Sequence, residues 1–418
     1  MGSLLPTLRT AVPGPASVAM VDRLARYECP AITARRARRA ATLGTADTDP
    51  IVFDHAEGAN VVDVDGNVFV DLCGGFAVAL LGHRHPEVVA AARAQSERLL
   101  HAMGDAFPDA QRIALLDELA EACPGELSVS ILGLSGADAV DGAVKTALLA
   151  TGRTGVLSFG GSYHGLSLGT VALQGYNAGF HEPFAGIAHP DVRRLPFGCA
   201  LDEVREALAG GDVGLVLVEP VLGRGGIRPA PTAWLQGLAE HARSAGALLA
   251  FDEIQCGLGR TGAPFAGAAA GVVPDLLCVG KALGGGFPLS ATVGTPEVMA
   301  AWGASGGEAL HTQTFLGHPV GCATARVTLR HLRGDLCVRV QERGEALQRA
   351  FGDRPHRGLG LMRAVTVRSG GLAASRALLQ RGFLVLPAGP DSLGFTPPVC
   401  ITDEQLASFA AALDEVDP

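Results

Sequence analysis

Two short runs of the chain place an acid and an amine where each would be costly in isolation. In Leu248-Leu-Ala-Phe-Asp252 an aspartate closes a continuous apolar run. A carboxylate at the end of a buried strand needs a cationic partner. Further along, Asp275-Leu-Leu-Cys-Val-Gly-Lys281-Ala-Leu-Gly-Gly-Gly286 ends a second apolar run with a lysine set among glycines. Burial disfavours the ammonium, so such a lysine gives up its proton readily and becomes a nucleophilic amine. The glycines let a flat ring come close to the backbone. An amine that forms an imine and a carboxylate that keeps a pyridine nitrogen protonated are what pyridoxal phosphate requires of a protein. Taken singly, each residue has a plainer reading: Asp252 as a helix cap, Lys281 as a surface lysine.

Two further segments follow apolar runs in the same way. Leu134-Ser135-Gly136-Ala137-Asp138 opens a helical pattern over 139–150. Backbone N–H groups at such a start bind phosphate without basic side chains, although an ordinary N-cap would look the same. Gly160-Gly-Ser-Tyr163-His164-Gly165 offers an aromatic that could stack on a flat cofactor, or simply a turn with a packed ring.

These residues need elements to hold them. The segment 58–71 alternates apolar and polar residues around Asp65-Gly66, a hairpin signal. From about residue 85, helical patterns (86–100, 110–122) alternate with short, wholly apolar runs at 156–159, 215–218, 247–251 and 276–279. Such runs separated by helices predict a parallel sheet buried on both faces. Beyond about residue 320 a long helical stretch leads to short strands (361–367, 383–386) and a last helix near 403–416. The first 20 or so residues, rich in proline and small side chains, read as a loose arm. The predicted architecture is α/β: an arm and part of a small domain over 1–75, a large domain over 76–320, and the rest of the small domain over 321–418. Ligands of such sheets sit beyond the carboxyl ends of the strands, where the candidate residues lie.

A chain of 418 residues with 56 glycines and only 18% charged residues is a well-buried protein with many tight turns. Its net charge of −9 is spread out, which argues against a nucleic-acid partner. The one basic cluster, Arg35, Arg36, Arg38 and Arg39, reads as a solvated helix face. The nine cysteines are scattered, with no C-x-x-C pair and an odd count, so reduced thiols are expected rather than a disulfide framework or metal site. Apolar runs such as Val213–Val218 are too short to cross a bilayer, and no basic start followed by an apolar run marks a leader. The expected compartment is the cytoplasm, with no membrane partner.

From about Pro30 onward the chain resembles the class III aminotransferases, the ornithine/4-aminobutyrate type of pyridoxal-phosphate fold type I. The likeness is carried, in order, by the Asp-Gly turn, Leu81-Gly-His-Arg-His-Pro86, Ser-Gly-Ala-Asp, Ser-Tyr-His-Gly, Glu219-Pro220, Phe-Asp-Glu-Ile-Gln, Gly-Lys-Ala-Leu-Gly-Gly-Gly and His311-Thr-Gln-Thr314-Phe-Leu-Gly-His-Pro319. The resemblance implies a mainly parallel seven-stranded sheet covered by helices, with a smaller α+β domain from the two chain ends. It implies Lys281 as the Schiff-base lysine and later proton shuttle, Asp252 as partner of the pyridinium, and Gln255 near the ring's phenolic oxygen. Tyr163 would stack on the ring beside His164. Ser135, Gly136 and Ala137 would hold the phosphate, and Glu219 would support the site from behind. Thr314 would reach the cofactor phosphate of a neighbouring subunit, implying a homodimer with composite sites. Phe76 and Arg224 would meet the substrate.

The sequence departs from the family pattern in three places. Ala137 replaces the threonine of the phosphate loop, which removes a hydroxyl and keeps the backbone donors. Members that handle α-amino carboxylates read Glu-Pro-x-Gln-Gly-Glu and Ile-Arg-Phe-x-Pro-Pro. Here these are Glu219-Pro-Val-Leu-Gly-Arg224 and Leu393-Gly394-Phe-Thr-Pro-Pro398. The carboxylate-binding arginine has become Gly394, and the glutamate that neutralises it has become Arg224. The resulting expectation is an aminotransferase acting between a small amino donor and an oxo acid or aldehyde. An isomerase on the same scaffold, an aminomutase or racemase, is the alternative.

Overall fold

The computed structural model describes residues 2–30, 41–42, 50–304 and 306–418. Its centre is a seven-stranded sheet in the order Val129–Gly133, Ser290–Gly294, Leu276–Val279, Leu248–Asp252, Val213–Val218, Gly155–Phe159, Val192–Leu195. Neighbours pair in parallel except at Ser290–Gly294, which is antiparallel to both strands beside it. Val213–Val218, Gly155–Phe159 and Leu276–Val279 are buried at every position, which is why they read as unbroken apolar runs. Ser290–Gly294 carries no such signal because its buried hydroxyls serve a neighbour. Ser290 Oγ donates to Ser135 O and Thr292 Oγ1 to Ala139 O, tying the strand to helix Gly136–Thr151.

The ends of the chain meet. Strands Phe53–Glu57, Asn60–Asp63 and Val68–Asp71 form a sheet that Phe383–Leu384 extends in parallel beside Val68–Asp71. Asp65-Gly66 makes the expected turn, with Gly66 at φ 82°. A further sheet runs His356–Leu359, Met362–Thr366, Ser392–Phe395, Leu386–Pro387. The run 383–386, expected as one strand, therefore divides between two sheets. Phe409 meets Phe383 and Phe395 in T-shaped ring contacts.

The expected loose arm is bound, which corrects that reading. Thr7 bridges to Val68, and Pro15–Tyr27 is a helix. Side chains of the hairpin collect the arm's backbone N–H groups: Asn60 takes Leu4, Asn67 takes Arg9 and Thr10, and Asp65 takes Ala16 and Ser17. Tertiary acceptors satisfy a segment with no apolar periodicity of its own. The basic cluster Arg35–Arg39 lies outside the described residues. Among the described residues no helix is long and apolar enough to cross a membrane.

Candidate active site

Each candidate group stands at the carboxyl edge of a parallel strand. Asp252 ends Leu248–Asp252, Glu219 directly follows Val213–Val218, and Tyr163 and His164 lie beyond Gly155–Phe159. Lys281 follows Leu276–Val279 across Gly280, with its backbone at φ 45°, a left-handed conformation rare outside glycine. These ends border a cavity of about 470 Å³ whose lining includes Lys281, Gln255, Tyr163, Arg224, Phe76 and Gly394.

The acidic side of the site is buried and tied down. Asp252 Oδ2 lies 2.7 Å from His164 Nδ1, with side chains 4% and 0% exposed, and Asp252 Oδ1 accepts from Ile254 N at 3.1 Å. His164 Nε2 is buried without a hydrogen-bond partner among the described residues. Glu219 accepts from Tyr163 N at 2.7 Å and from Gly223 N at 2.8 Å. Burial pushes the Glu219 carboxyl up to about 7, Asp252 adds to the rise, and His164 and the two backbone donors oppose it. Lys281 Nζ donates to Gln255 Oε1 at 2.8 Å. Burial holds the Lys281 ammonium below the ordinary lysine value, against the pull of Asp252 and Glu219.

The start of helix Gly136–Thr151 is an open donor site. Ser135 Oγ accepts from Asp138 N at 3.2 Å, and the Asp138 side chain accepts from Leu134 N at 2.9 Å. The first N–H groups of a helix have no intrahelical acceptor, and those of Gly136 and Ala137 have none among the described residues. Packing fixes this corner: a Cβ on Gly136 would lie 2.9 Å from Ile254 Cδ1, and one on Gly165 (φ +98°) 2.5 Å from the Ala137 methyl. A buried amine of lowered basicity, a carboxylate at a strand end and an unfilled helix start fit a pyridine aldehyde carrying a phosphate.

Other candidates fall in different places. His164 does not face the cavity; it stands behind Asp252. Ser135 spends its hydroxyl as a cap. Thr314 is exposed and contributes nothing to this protomer's cavity. Phe76 is at the rim with φ 61°, in a turn built by Asp71, whose carboxylate accepts from Cys73, Gly74 and Gly75 N and meets His83 Nε2 at 2.7 Å. Arg224 is half-buried, with its guanidinium 4.4 Å from the ring centre of Tyr163 and 5.6 Å from that of Tyr176. Among the described residues no carboxylate pairs with it. Opposite, a Cβ on Gly394 would lie 3.0 Å from Ala388 Cβ and 3.2 Å from Ile227 Cδ1, so aliphatic groups fill that corner.

Sequence reasoning missed Tyr176, Ile227 and Arg260. Arg260 is fully buried and donates to the carbonyls of Ala77, Leu361 and Pro397, joining three segments around the cavity. A basic residue in a Gly-rich run gave no sign of that role. His164, the hydrogen-bond partner of Asp252, stands 88 positions away, and no spacing in the sequence points to it.

The class III aminotransferase model matches residues 44–416. The chain is 34% identical to 5-aminovalerate aminotransferase of Pseudomonas aeruginosa, over 91% of this chain and 96% of that protein. It is 37% identical to acetylornithine aminotransferase of Myxococcus xanthus, over 85% and 90%. In three dimensions it resembles an (S)-enantioselective ω-transaminase from Thermomicrobium roseum (TM-score 0.81, 28% identity, 88% of this chain and 93% of that one). It also resembles the ornithine aminotransferase of Toxoplasma gondii, a structure with pyridoxal phosphate at partial occupancy (TM-score 0.80, 28% identity, 90% and 92%). These relatives transfer amino groups, which supports transfer and not the isomerase alternative. The chain belongs to the class III aminotransferases, enzymes that use pyridoxal phosphate to move an amino group from a donor to an oxo acceptor.

Proposed function

We propose that Lys281 holds pyridoxal phosphate as a Schiff base through Nζ, that Asp252 meets the ring nitrogen, and that substrates carry an acidic group bound by Arg224. The bound cofactor supplies a carbonyl that captures amines and a ring that accepts electrons from the substrate Cα. The chain's own residues do the rest. His164 orients Asp252 and keeps its charge directed at one point. Lys281 Nζ, of lowered basicity, takes and returns the Cα proton. Glu219 fixes the backbone of Tyr163, whose ring would stack on the cofactor. Gly136 and Ala137 N–H groups would receive the phosphate, and Gln255, which accepts from Lys281 Nζ, would lie near the phenolic oxygen. Thr314, exposed beside Phe315, reaches a second subunit's phosphate, which makes the enzyme a homodimer. The division at 1–75, 76–320 and 321–418 belongs to this reading, supported by the sheet that joins both chain ends. So does a cytoplasmic location.

One observation carries the substrate reading: Arg224 borders the cavity with no carboxylate partner among the described residues, while Ile227 and Ala388 crowd position 394. A planar fork of five donors suits a carboxylate. The relatives' names include 5-aminovalerate and acetylornithine, both carboxylates, which agrees with an acidic amino donor. Titration of the holoenzyme's visible band with 5-aminovalerate, N-acetylornithine and neutral amines of equal length tests this. Acidic donors should bleach the band at lower concentration, and Arg224→Ala should erase the difference. Equal responses in the wild type would overturn the assignment.

A further inference from the structure

We infer that the active-site cavity continues past Phe76 into a second, apolar chamber that takes the unbranched hydrocarbon arm of an amine or carbonyl substrate. This rests on the transaminase reading above. The chamber has a volume of about 360 Å³. Five residues line both spaces: Cys73, Phe76, Leu372, Leu386 and Pro387. The chamber and the cavity are therefore neighbours with these residues between them. Its far wall is Ile51, Phe53, Leu379, Leu384 and Val385.

The polar groups in this wall are already occupied. The Asp71 carboxylate is taken by three backbone N–H groups and His83. Cys73 Sγ donates to Leu384 O, and Ser375 Oγ to Leu372 O. Arg376 is itself engaged. A hydrocarbon arm leaves water for a wall that is mostly apolar. Phe76 marks the boundary. Its side chain is 60% exposed, and the left-handed turn at Gly74 and Gly75 holds it out of the core, between the two spaces. Neither Lys281 nor Arg224 lines the chamber, so the arm is a substituent distinct from the reacting carbon and from the acidic group.

The test uses the holoenzyme and straight-chain primary amines from propylamine to octylamine. Dissociation constants come from calorimetry and kcat/KM from turnover with an oxo acid. Both should improve about fourfold per methylene, the ~0.8 kcal/mol of a buried CH₂, and level off once the chamber is full. Ser375→Phe and Ile51→Trp change only the chamber wall, and each should collapse the octylamine-to-propylamine ratio toward one. A flat wild-type series, or a full series retained in both variants, overturns the chamber. Short amines turned over with a flat series would reject the chamber and keep the transaminase reading. Graded binding without turnover would reject that reading and keep the chamber.

Discussion

The two walls of the active-site cavity are built differently. Behind the sheet side, Asp252, His164 and Glu219 are buried, and every carboxylate oxygen has a partner within about 3 Å. On the other side, Phe76 and Arg224 are at least partly exposed and stand on turns, with Arg224 over the Tyr163 ring. The first wall has one arrangement because an unsatisfied charge there would be costly. The second is free to differ among relatives, because its residues are held by loops rather than by the sheet. On the proposed reading, chemistry belongs to the fixed wall and choice of substrate to the adaptable one.

Breaking the fixed wall should have the largest effect. Lys281→Ala removes both the attachment point and the proton carrier, and kcat should fall by about 10³-fold or more. Borohydride reduction followed by peptide mapping should find cofactor on Lys281 in the wild type and on no lysine in the variant. Asp252→Asn keeps the shape but not the charge. It should cost more than about tenfold in kcat/KM, or ~1.4 kcal/mol, with an unchanged circular dichroism spectrum.

The adaptable wall should respond selectively. Arg224→Ala should raise KM for an acidic donor by roughly ten- to a hundredfold, the ~1.5–3 kcal/mol of a charge-assisted bond. Neutral amines should hardly notice, and steady-state kinetics with both classes read the difference. Restoring the family pair, Arg224→Glu with Gly394→Arg, meets an obstacle: Ile227 and Ala388 occupy the corner a side chain at 394 must cross.

Smaller effects sharpen the contrast. Thr314→Ala should weaken cofactor affinity about tenfold, as expected for one lost hydrogen bond to an anion. Spectroscopic titration of the apoenzyme measures this, and light scattering should still show a dimer. The last effect is on stability rather than turnover and concerns Glu253, buried next to Asp252 and accepting from Ala266 and Gly267 N. Burial raises its carboxyl from 4.5 to about 7. Between those values the folded chain holds a proton that the unfolded chain releases, so stability from this group falls as pH rises through that window. The advantage of wild type over Glu253→Gln in chemical denaturation should shrink from pH 4.5 to 7 and stay constant above.

The sequence alone located four parallel strands of the central sheet and a buried acid and amine at the ends of two of them. Asp252 and Lys281 could be found because burying an acid and an amine at strand ends is costly without a purpose. The parallel strands could be found because burial on both faces forces unbroken apolar runs. Tertiary structure decided everything that depends on which distant groups meet. His164 and Asp252 are 88 positions apart, and only the sheet order brings them into contact. The arm's donors find Asn60, Asp65 and Asn67 because the hairpin presents them, not because the arm has a pattern of its own. Ile227 and Ala388 share one apolar cluster although far apart in the chain, and the chamber behind Phe76 joins residues 50–76 to residues 372–387. Their packing depends on shape in three dimensions, and no periodicity in the sequence records it.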